Sequence, residues 1–367
     1  MNRRTRIIVW GAAAALVVAG GAVTIARTSD ADEPGPIVAA TEFTGPPPAP
    51  PRTCGMSLLP VPDRLGGTVT AADPTGRIIV GQSYLDGGHK QILMWRDGKV
   101  RKLPIVGSLT VLTDVNSRAT AVGMQDSPVG PAPMAYHGGA ATMMATGGAD
   151  GGEAAGVNEA GTIAGTLGQH PHSGVPARWA APGSEPERLP LPDGYRTGHA
   201  TDIDEDGTIV GDLGDRDEPY VWFPNGEHRP LPLPDVDGEA ATSGSVRAVR
   251  NGWAIGEGDY SAEGGYPSYR SVRWNLRTGE VMVFDRLTRL VAVNAYGWWV
   301  GAAEGAILRT ATTVTPIVGQ KGKTIIIENP PPATHAATIS DNGRTIAGQT
   351  PDDERAGTAV PAVWRCT

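Results

Sequence analysis

The stretch TDIDEDGTIVGD, residues 201–212, places three aspartates at alternate positions before a glycine and a β-branched run. Asp202, Asp204 and Asp206 match the first half of a calcium-binding loop, in which carboxylate oxygens converge on the ion at about 2.3–2.6 Å. The helical form of that loop requires an acid at its twelfth position, which here is Leu213. Calcium is therefore one candidate ligand of these residues, and a plain hairpin turn is the alternative.

The stretch is one of seven copies of a motif that closes on an apolar residue or alanine followed by glycine. Successive closing glycines are 42, 42, 46, 45, 45 and 47 residues apart. A period of about 40–50 residues with short β-rich segments is typical of the blades of a β-propeller. The closing glycines are Gly81, Gly123, Gly165, Gly211, Gly256, Gly301 and Gly348.

The residues between the first two strands of most copies favour a hairpin turn. A type I turn prefers Asp, Asn or Ser first and glycine fourth, and the tetrapeptides DPTG, NEAG, DEDG and NAYG all comply. The fifth copy shortens to RNG, and the second, NSRA, lacks the glycine. The turn accounts for Asp204. Asp202 and Asp206 have no counterpart in most copies, so calcium binding remains an alternative interpretation for them.

Each copy supplies four candidate strands: one before the turn, one after it, a third that often ends in tryptophan, and a leucine–proline segment. Proline suits an outer strand, because one amide face of an edge strand needs no partner, and it discourages pairing between sheets. The sequence therefore predicts an all-β fold, a seven-bladed β-propeller of four-stranded repeats of about 42–47 residues. The aromatic residues of the third strands are Trp95, Tyr136, Trp179, Trp222, Trp274 and Trp364.

The two ends of the repeat region complete each other. The seventh copy stops after its third strand, in AVPAVWRCT, and the missing fourth strand is predicted at the other end, in CGMSLLPVPD. Superposing both ends on the fourth copy places Cys54 and Cys366 beside the tip of one hairpin, close enough for a disulfide. An exported protein favours oxidation. The sequence thus predicts a ring closed by strand exchange and stapled by this bond.

The pattern [I/V]-[N/D]-x-x-G-x-[I/V]-[A/V]-G, followed by a strand ending in tryptophan and a leucine–proline strand, resembles the HAF-repeat extracellular proteins of bacteria. The resemblance covers about residues 55–367, and the histidine–alanine–phenylalanine signature is altered to PMAYH, PARW, PYVW and PAVW. It implies a β-propeller and export. It supplies no catalytic residue.

The pattern of residues 1–27 predicts either a signal peptide or a membrane anchor. Three arginines precede about twenty uncharged residues, enough for one apolar helix across a bilayer with the N terminus in the cytoplasm. The cleavage pattern is poor, so both interpretations stay open. Residues 28–53 are acidic and then proline-rich, which predicts a spacer, and residues 54–367 form the propeller domain. The domain is expected to be secreted or held at the cell surface.

Composition limits the partners. The chain has a formal net charge of −8 and no basic stripe, which argues against nucleic acid. Its 50 glycines and 32 prolines argue against a mostly helical protein. A membrane is expected to be contacted only through residues 1–27, and only if they are not cleaved.

The loops between the second and third strands vary most in length, while the turns barely change. In propellers such loops share one face, where function normally lies. Acids gather in the loops of copies four, five and seven, with tyrosines between them in copy five. We predict an acidic loop face suited to cations, basic peptide segments or sugars; plain solvated loops are the alternative. Its residues are Asp212, Asp215, Asp217, Glu218, Glu257, Asp259, Tyr260, Tyr266, Tyr269, Asp352, Asp353 and Glu354.

Two function classes follow. The first is a monomeric, non-catalytic binding module for an extracellular protein segment or a glycan, with no cofactor unless calcium binds. The second is a glycan-active propeller enzyme, a hydrolase or lyase, that uses carboxylates of the loop face. Glycoside hydrolysis needs two carboxyls about 5–9.5 Å apart across a pocket. The sequence contains neither H-E-x-x-H nor a Walker loop, so binding is the leading expectation.

Overall fold

A computed structural model describes the part of the chain that carries the repeats. The predicted apolar helix of residues 1–27 and most of the predicted spacer lie outside the described residues. Within the described part, which lies in the unit Val38–Thr367, no helix is long and apolar enough to cross a membrane. The described residues are 47–367 except 63–65, 86–87, 129, 169–173, 237, 261–268, 285–286, 304–315, 321–322, 327–333 and 353–357.

The described strands form four-stranded antiparallel sheets, and nearly every sheet uses its strands in chain order. Strand β1 (Cys54–Leu58) comes first in the chain but joins the last sheet. The first sheet contains β2 (Gly67–Ala72), β3 (Ile78–Tyr84), β4 (Lys90–Arg96) and β5 (Lys99–Gly107). The second contains β6 (Val111–Val115), β7 (Ala121–Ser127), β8 (Gly130–His137) and β9 (Ala140–Met143). The third contains β10 (Gly152–Val157), β11 (Ile163–Leu167), β12 (Val175–Trp179) and β13 (Pro186–Arg188).

The remaining sheets repeat this arrangement. The fourth contains β14 (Gly198–Ile203), β15 (Ile209–Leu213), β16 (Glu218–Trp222) and β17 (His228–Pro230). The fifth contains β18 (Ser243–Arg250), β19 (Trp253–Asp259), β20 (Tyr269–Asn275) and β21 (Val281–Phe284). The sixth contains β22 (Leu287–Val293), β23 (Trp299–Ala303), β24 (Pro316–Gln320) and β25 (Lys323–Ile326). The last contains β26 (His335–Ile339), β27 (Thr345–Pro351), β28 (Ala359–Cys366) and β1.

The described strands thus pair into seven sheets. Six of them are described with their side chains, whereas the sheet of β22–β25 is known mainly from its backbone pairing, because the side chains of β24 and β25 lie outside the described residues. The predicted all-β propeller with blades of four antiparallel strands is confirmed.

Each innermost strand carries a β-bulge, and the bulge explains the closing glycine of the repeat. In β14 the pairing with β15 shifts between Ala200 and Asp202, so Thr201 has no partner of its own. The closing glycine, Gly211, pairs with Ala200, and a Cβ at Gly211 would overlap the carbonyl oxygen of His199. The same shift and overlap recur in the other six sheets. Glycine is required because the bulge brings the two backbones too close for a side chain.

The tryptophans of the third strands join neighbouring blades. Trp95, Trp179, Trp222 and Trp274 are buried, and each indole N–H donates to a carbonyl that follows the outer strand of the preceding blade. The acceptors are Pro60 at 2.8 Å, Ala145 at 2.9 Å, Pro190 at 2.7 Å and Pro232 at 2.6 Å. Buried indole N–H groups usually find such a partner, so the tryptophan and the leucine–proline segment form one contact between blades.

The leucine–proline segments of the third and fourth blades differ from the prediction in one detail. They follow the outer strand instead of forming it: β13 and β17 have three residues each, and LPLP comes after them. Proline has no N–H for the strand ladder, but its carbonyl remains free to accept the indole hydrogen bond. Leu189 and Leu231 of these segments are buried.

The ring closes as the sequence predicts. β1 pairs antiparallel with β28, and Cys54 lies opposite Cys366. The two residues form a disulfide with a Cα–Cα distance of 4.0 Å. Backbone hydrogen bonds extend the ladder beyond the bond, from the N–H of Thr367 to the carbonyl of Thr53 at 2.9 Å and from the N–H of Arg52 to the carbonyl of Thr367 at 2.7 Å. The last blade is therefore held both by hydrogen bonds and covalently.

Replacing both cysteines, as C54S with C366S, is expected to lower the free energy of unfolding by about 2–4 kcal/mol. The reason is that the bond joins residues 312 positions apart and so restricts the unfolded chain. Urea denaturation of the oxidised protein measures the loss. Reduction of the wild type should reproduce it, and reduction of the variant should add nothing; an unchanged denaturation midpoint in the variant would contradict the stapling role.

The closing glycine allows a second test. Gly165→Ala should lower the free energy of unfolding by about 2–4 kcal/mol, because its Cβ would overlap the carbonyl oxygen of Glu153. Gly183→Ala in the same blade is the matched control, since an added Cβ there meets nothing within 4 Å, and it should change stability by less than about 0.5 kcal/mol. Thermal and urea denaturation compare the two; similar losses would disprove the close-approach explanation.

Candidate functional site

Asp204, the first residue of the hairpin turn in the fourth blade, uses both carboxylate oxygens to bind backbone N–H groups. Its Oδ1 accepts from Glu205 at 2.8 Å and from Asn251 at 2.7 Å, and its Oδ2 accepts from Gly252 at 2.6 Å. Asn251 and Gly252 form the turn of the next blade. Burial raises the pKa of Asp204, and these backbone donors oppose that rise. Asp204 therefore connects two blades.

The other two aspartates of this stretch also bind backbone. Asp202 accepts from its neighbour Ile203 at 2.8 Å and from Val249 of the next blade at 2.8 Å, with one oxygen for each. Asp206 accepts from Thr208 at 2.8 Å within the turn. In the described part of the chain, no three His, Cys, Asp or Glu side chains are grouped to hold a metal. This geometry favours the turn interpretation, and calcium binding by Asp202, Asp204 and Asp206 stays a prediction.

The turns of successive blades are linked through their first residues. The side-chain amide of Asn116 donates to the carbonyl of Asn158 at 3.0 Å, that of Asn158 to Asp204 at 3.4 Å, and that of Asn294 to Ser340 at 3.2 Å. At Asp204 the direction of the hydrogen bond is reversed: its carboxylate accepts, because the shortened turn of the fifth blade presents N–H groups to it. An aspartate accepts where an asparagine would donate, so the shortened turn explains the acid.

Several predicted loop-face residues already have partners within the protein. Asp212 is buried and accepts from the N–H of Val246 in the next blade at 2.8 Å, and burial raises its pKa well above the usual value. Glu218 accepts a hydrogen bond from the Tyr195 hydroxyl. Tyr260 is buried, and its hydroxyl donates to the carbonyl of Pro234 at 3.0 Å. These contacts stabilise loops and seams.

The remaining loop-face residues differ in their exposure. Asp215 and Asp217 are exposed, and Tyr269 is 53% exposed. Asp259 and Asp352 are half-buried and take part in backbone hydrogen bonds. The residues Tyr266, Asp353 and Glu354 lie outside the described residues. A ligand-binding loop face made of these side chains stays a prediction.

A central cavity of about 210 Å³ lies between the innermost strands, away from the loop face. These strands are β2, β6, β10, β14, β18, β22 and β26. Threonines beside the bulges, among them Thr70, Thr113 and Thr201, form part of its wall. Each of these hydroxyls donates to a backbone carbonyl, so they offer a ligand mainly acceptor atoms. The charged residues of the wall are Asp114, Asp202, Glu205, Arg247, Arg250 and Asp341.

Arg250 joins three blades at the edge of this cavity. Its Nε and Nη2 donate to the two oxygens of Asp341 at 3.0 and 2.7 Å, and its Nη1 donates to Glu205. Burial alone would lower the pKa of Arg250, but the two carboxylates raise it. Removing one partner of a buried ion pair leaves an uncompensated charge. We therefore infer that the role of Arg250 is to stabilise the ring.

Asp114 and Asp202 occupy equivalent positions on two inner strands. Asp114 accepts from Val115 at 2.8 Å and from Val157 of the next blade at 2.8 Å, just as Asp202 does in its own blade. Burial raises the pKa of Asp114 to about 6. Burial, and then the charge of Asp114, raises the pKa of Asp202 well above its usual value. At neutral pH the cavity thus holds carboxyls that retain protons more readily than exposed ones.

Of these cavity residues, only Asp202 is singled out from the sequence, as a candidate calcium ligand, although the sequence carries one signal for the others. Alignment of the copies places Asp114 of LTDVN and Asp202 of ATDID in one column. The fifth copy, VRAVRNG, carries Arg247 and Arg250 where most other copies have small or uncharged residues. Charges at channel-facing positions of a repeat are costly unless compensated. The charged residues in these columns of the alignment could therefore have been singled out.

No known protein family and no curated protein matches the chain, whereas solved structures share its fold. Virginiamycin B lyase from Staphylococcus aureus, solved with quinupristin, has a TM-score of 0.55 at 12% identity, over 84% of this chain and 99% of that one. The β-propeller domain of the Trilobed protease from Pyrococcus furiosus, described as an open velcro topology, has a TM-score of 0.54 at 12% identity, over 82% and 93%. For oligogalacturonate lyase from Vibrio parahaemolyticus the values are 0.51 and 10%, over 86% and 98%. At these identities the likeness shows a β-propeller fold alone.

The raised pKa of Asp114 predicts a pH dependence of stability. Its pKa is about 6 in the folded protein and about 3.9 in an unfolded chain, so the folded state binds more protons between these values. Stability from this group is fully present below about pH 4 and is lost as the pH rises through 6, by about 2–3 kcal/mol in all. Asp202 acts in the same direction.

Urea denaturation at pH 4.5 and 7.5 measures this effect. Asp114→Asn should show a smaller fall in stability than the wild type over this range, whatever its absolute stability. Asp215→Asn, which alters an exposed acid, is the control and should keep the wild-type dependence. An unchanged fall in Asp114→Asn would show that Asp114 does not carry the effect.

Proposed function

We propose that this protein is an exported β-propeller, a closed ring of seven blades, that acts as a non-catalytic binding module at the cell surface. Residues 1–27 would direct export or hold the domain at the membrane, and residues 28–53 would separate the two. The disulfide between Cys54 and Cys366 supports an oxidising location outside the cytoplasm. The partner is an extracellular protein segment or a glycan, bound by a monomer.

One observation carries the choice of binding over catalysis: three of the described loop-face acids are already bound to other groups of the protein. Asp212 is occupied by a backbone N–H, Glu218 by a tyrosine hydroxyl, and Glu257 by Arg247 at 3.5 Å. None of the described loop-face acids lines the central cavity. Hydrolysis by paired carboxyls requires two of them facing one substrate.

The cavity carboxyls also suit structure better than catalysis. Asp114 and Asp202 each accept two backbone N–H groups, one on each oxygen. A general acid or base must move a proton to and from a substrate in the transition state, whereas these groups are tied to the seam between blades. Their arrangement supports a rigid ring that presents loops and a channel to a ligand.

Binding and turnover can be separated with the purified full-length protein. Arrays of acidic and neutral polysaccharides and of basic peptides, read with and without calcium, are expected to give retention of at least one class. Chromatography and mass spectrometry of the same ligands after long incubation should show no new product. Catalytic product formation that disappears in Glu218→Gln would overturn the proposal in favour of a glycan-active enzyme.

The calcium arm of the same experiment addresses Asp202, Asp204 and Asp206. If they bind calcium, the melting temperature should rise with the ion by the mass-action relation, and Asp206→Asn should abolish the rise. Asp215→Asn is again the matched control. No rise in the wild type would leave the three aspartates with the turn and seam contacts described above.

A further inference from the structure

We propose that the central cavity binds a small aliphatic monocarboxylate, whose carboxylate is held by Arg247 of β18, with the charge of Arg289 on the adjoining inner strand β22 beside it. The proposal names a ligand class for the binding module and rests on that proposed function. Four observations support it: the free donors of Arg247, the second arginine near it, the apolar side chains of the cavity wall, and the size of the cavity.

Arg247 differs from Arg250, although the two lie three residues apart on one strand. Arg250 is bound by the carboxylates of Asp341 and Glu205. Among the described residues, Arg247 makes a single hydrogen bond, from Nη2 to Glu257 at 3.5 Å, and its Nε is buried without a partner. A guanidinium has five N–H donors, so most of those on Arg247 are available to a ligand in the cavity that it lines.

A second positive charge lies next to Arg247. Arg289 is exposed and occupies on β22 the position of Ser245 on β18, two residues before the bulge. Burial, and then the charge of Arg289, lowers the pKa of Arg247. The nearby acids are Glu257 and Asp212, and burial favours the neutral form of Asp212. A carboxylate bound by Arg247 would therefore offset the repulsion between its charge and that of Arg289.

Apolar side chains form another part of the cavity wall. Val291, Ala292, Ala337, Ile339 and Ala71 contribute to it. They offer a surface for a hydrocarbon chain. A ligand with one carboxylate at the arginine side and an aliphatic body on this wall matches both halves of the cavity.

Size and charge narrow the ligand class further. The cavity of about 210 Å³ is below the roughly 300–1,000 Å³ of pockets for drug-sized ligands. Asp114 also lines it and carries negative charge above its pKa of about 6. Glu205 and Asp341, which also line it, form ion pairs with Arg250. These charges disfavour a phosphate or a dicarboxylate, so we assign a single carboxylate.

The test uses full-length protein and butyrate as the probe, with butylammonium and butanol as cationic and neutral probes of the same shape. Calorimetric titration at pH 7 in matched sodium chloride is expected to give butyrate a Kd of about 1 mM and the other two no measurable binding. Arg247→Gln should weaken butyrate at least about tenfold, because it removes the charge-assisted hydrogen bonds. Arg289→Gln should weaken it about threefold.

Two further variants serve as controls for the binding measurement. Arg188→Gln, on the outer strand β13, removes an exposed charge and should leave binding unchanged. Arg247→Lys keeps the charge and should give an intermediate Kd even if Arg247→Gln proves unstable in thermal denaturation. No butyrate binding by the wild type, equal binding by the Arg247 variants, or tighter binding of butylammonium would each overturn the proposal.

The two proposals fail in different ways. If butyrate does not bind but polysaccharides or peptides are still retained, the assigned ligand class is wrong and the binding module stands. If product formation is found on the arrays, the binding module itself is wrong. Butyrate binding that Arg247→Gln weakens supports both.

Discussion

The contact between a bulged inner strand and the glycine opposite it is the constraint on which the ring depends. In each sheet the bulge brings a carbonyl oxygen close to the closing glycine. In the fourth blade this is the carbonyl oxygen of His199, which lies against Gly211. A bulge bends its strand and redirects the side chain of the extra residue. That residue lines the central cavity in several blades, as Thr201 and Arg247 do. One backbone contact therefore fixes the repeat motif and also decides which side chains reach the channel.

Neighbouring blades are then joined by hydrogen bonds at three distances from the axis. Near the axis, carboxyls such as that of Asp202 accept an N–H from the next inner strand. At the turns, asparagine amides such as that of Asn116 donate to the next turn. Towards the outside, indoles such as that of Trp222 donate to a proline carbonyl. Buried polar groups are costly unless paired, and here each pair also secures a seam.

The cavity shows how similar residues take different roles through their partners. Arg250 donates to two carboxylates and connects three blades. Arg247, three residues away on the same strand, makes a single hydrogen bond, of 3.5 Å, among the residues that the structure describes, and Arg289 is near it. A guanidinium that is bound by two carboxylates contributes to structure, whereas unused donors in a cavity favour a ligand. The distinction depends on geometry, because both residues look alike in VRAVRNG.

The sequence alone determined the all-β propeller, its four-stranded repeats, and the closure of the ring through Cys54 and Cys366, because a regular period and complementary ends report directly on local strands and turns. It also favoured the turn at Asp204 over calcium. Only the tertiary structure decided which acids share a space: it tied Asp212 to a neighbouring blade and placed Asp114, Asp202 and Arg247 around one cavity. These residues are far apart in the chain, and their meeting depends on how blades pack around an axis, which no spacing within a single repeat encodes.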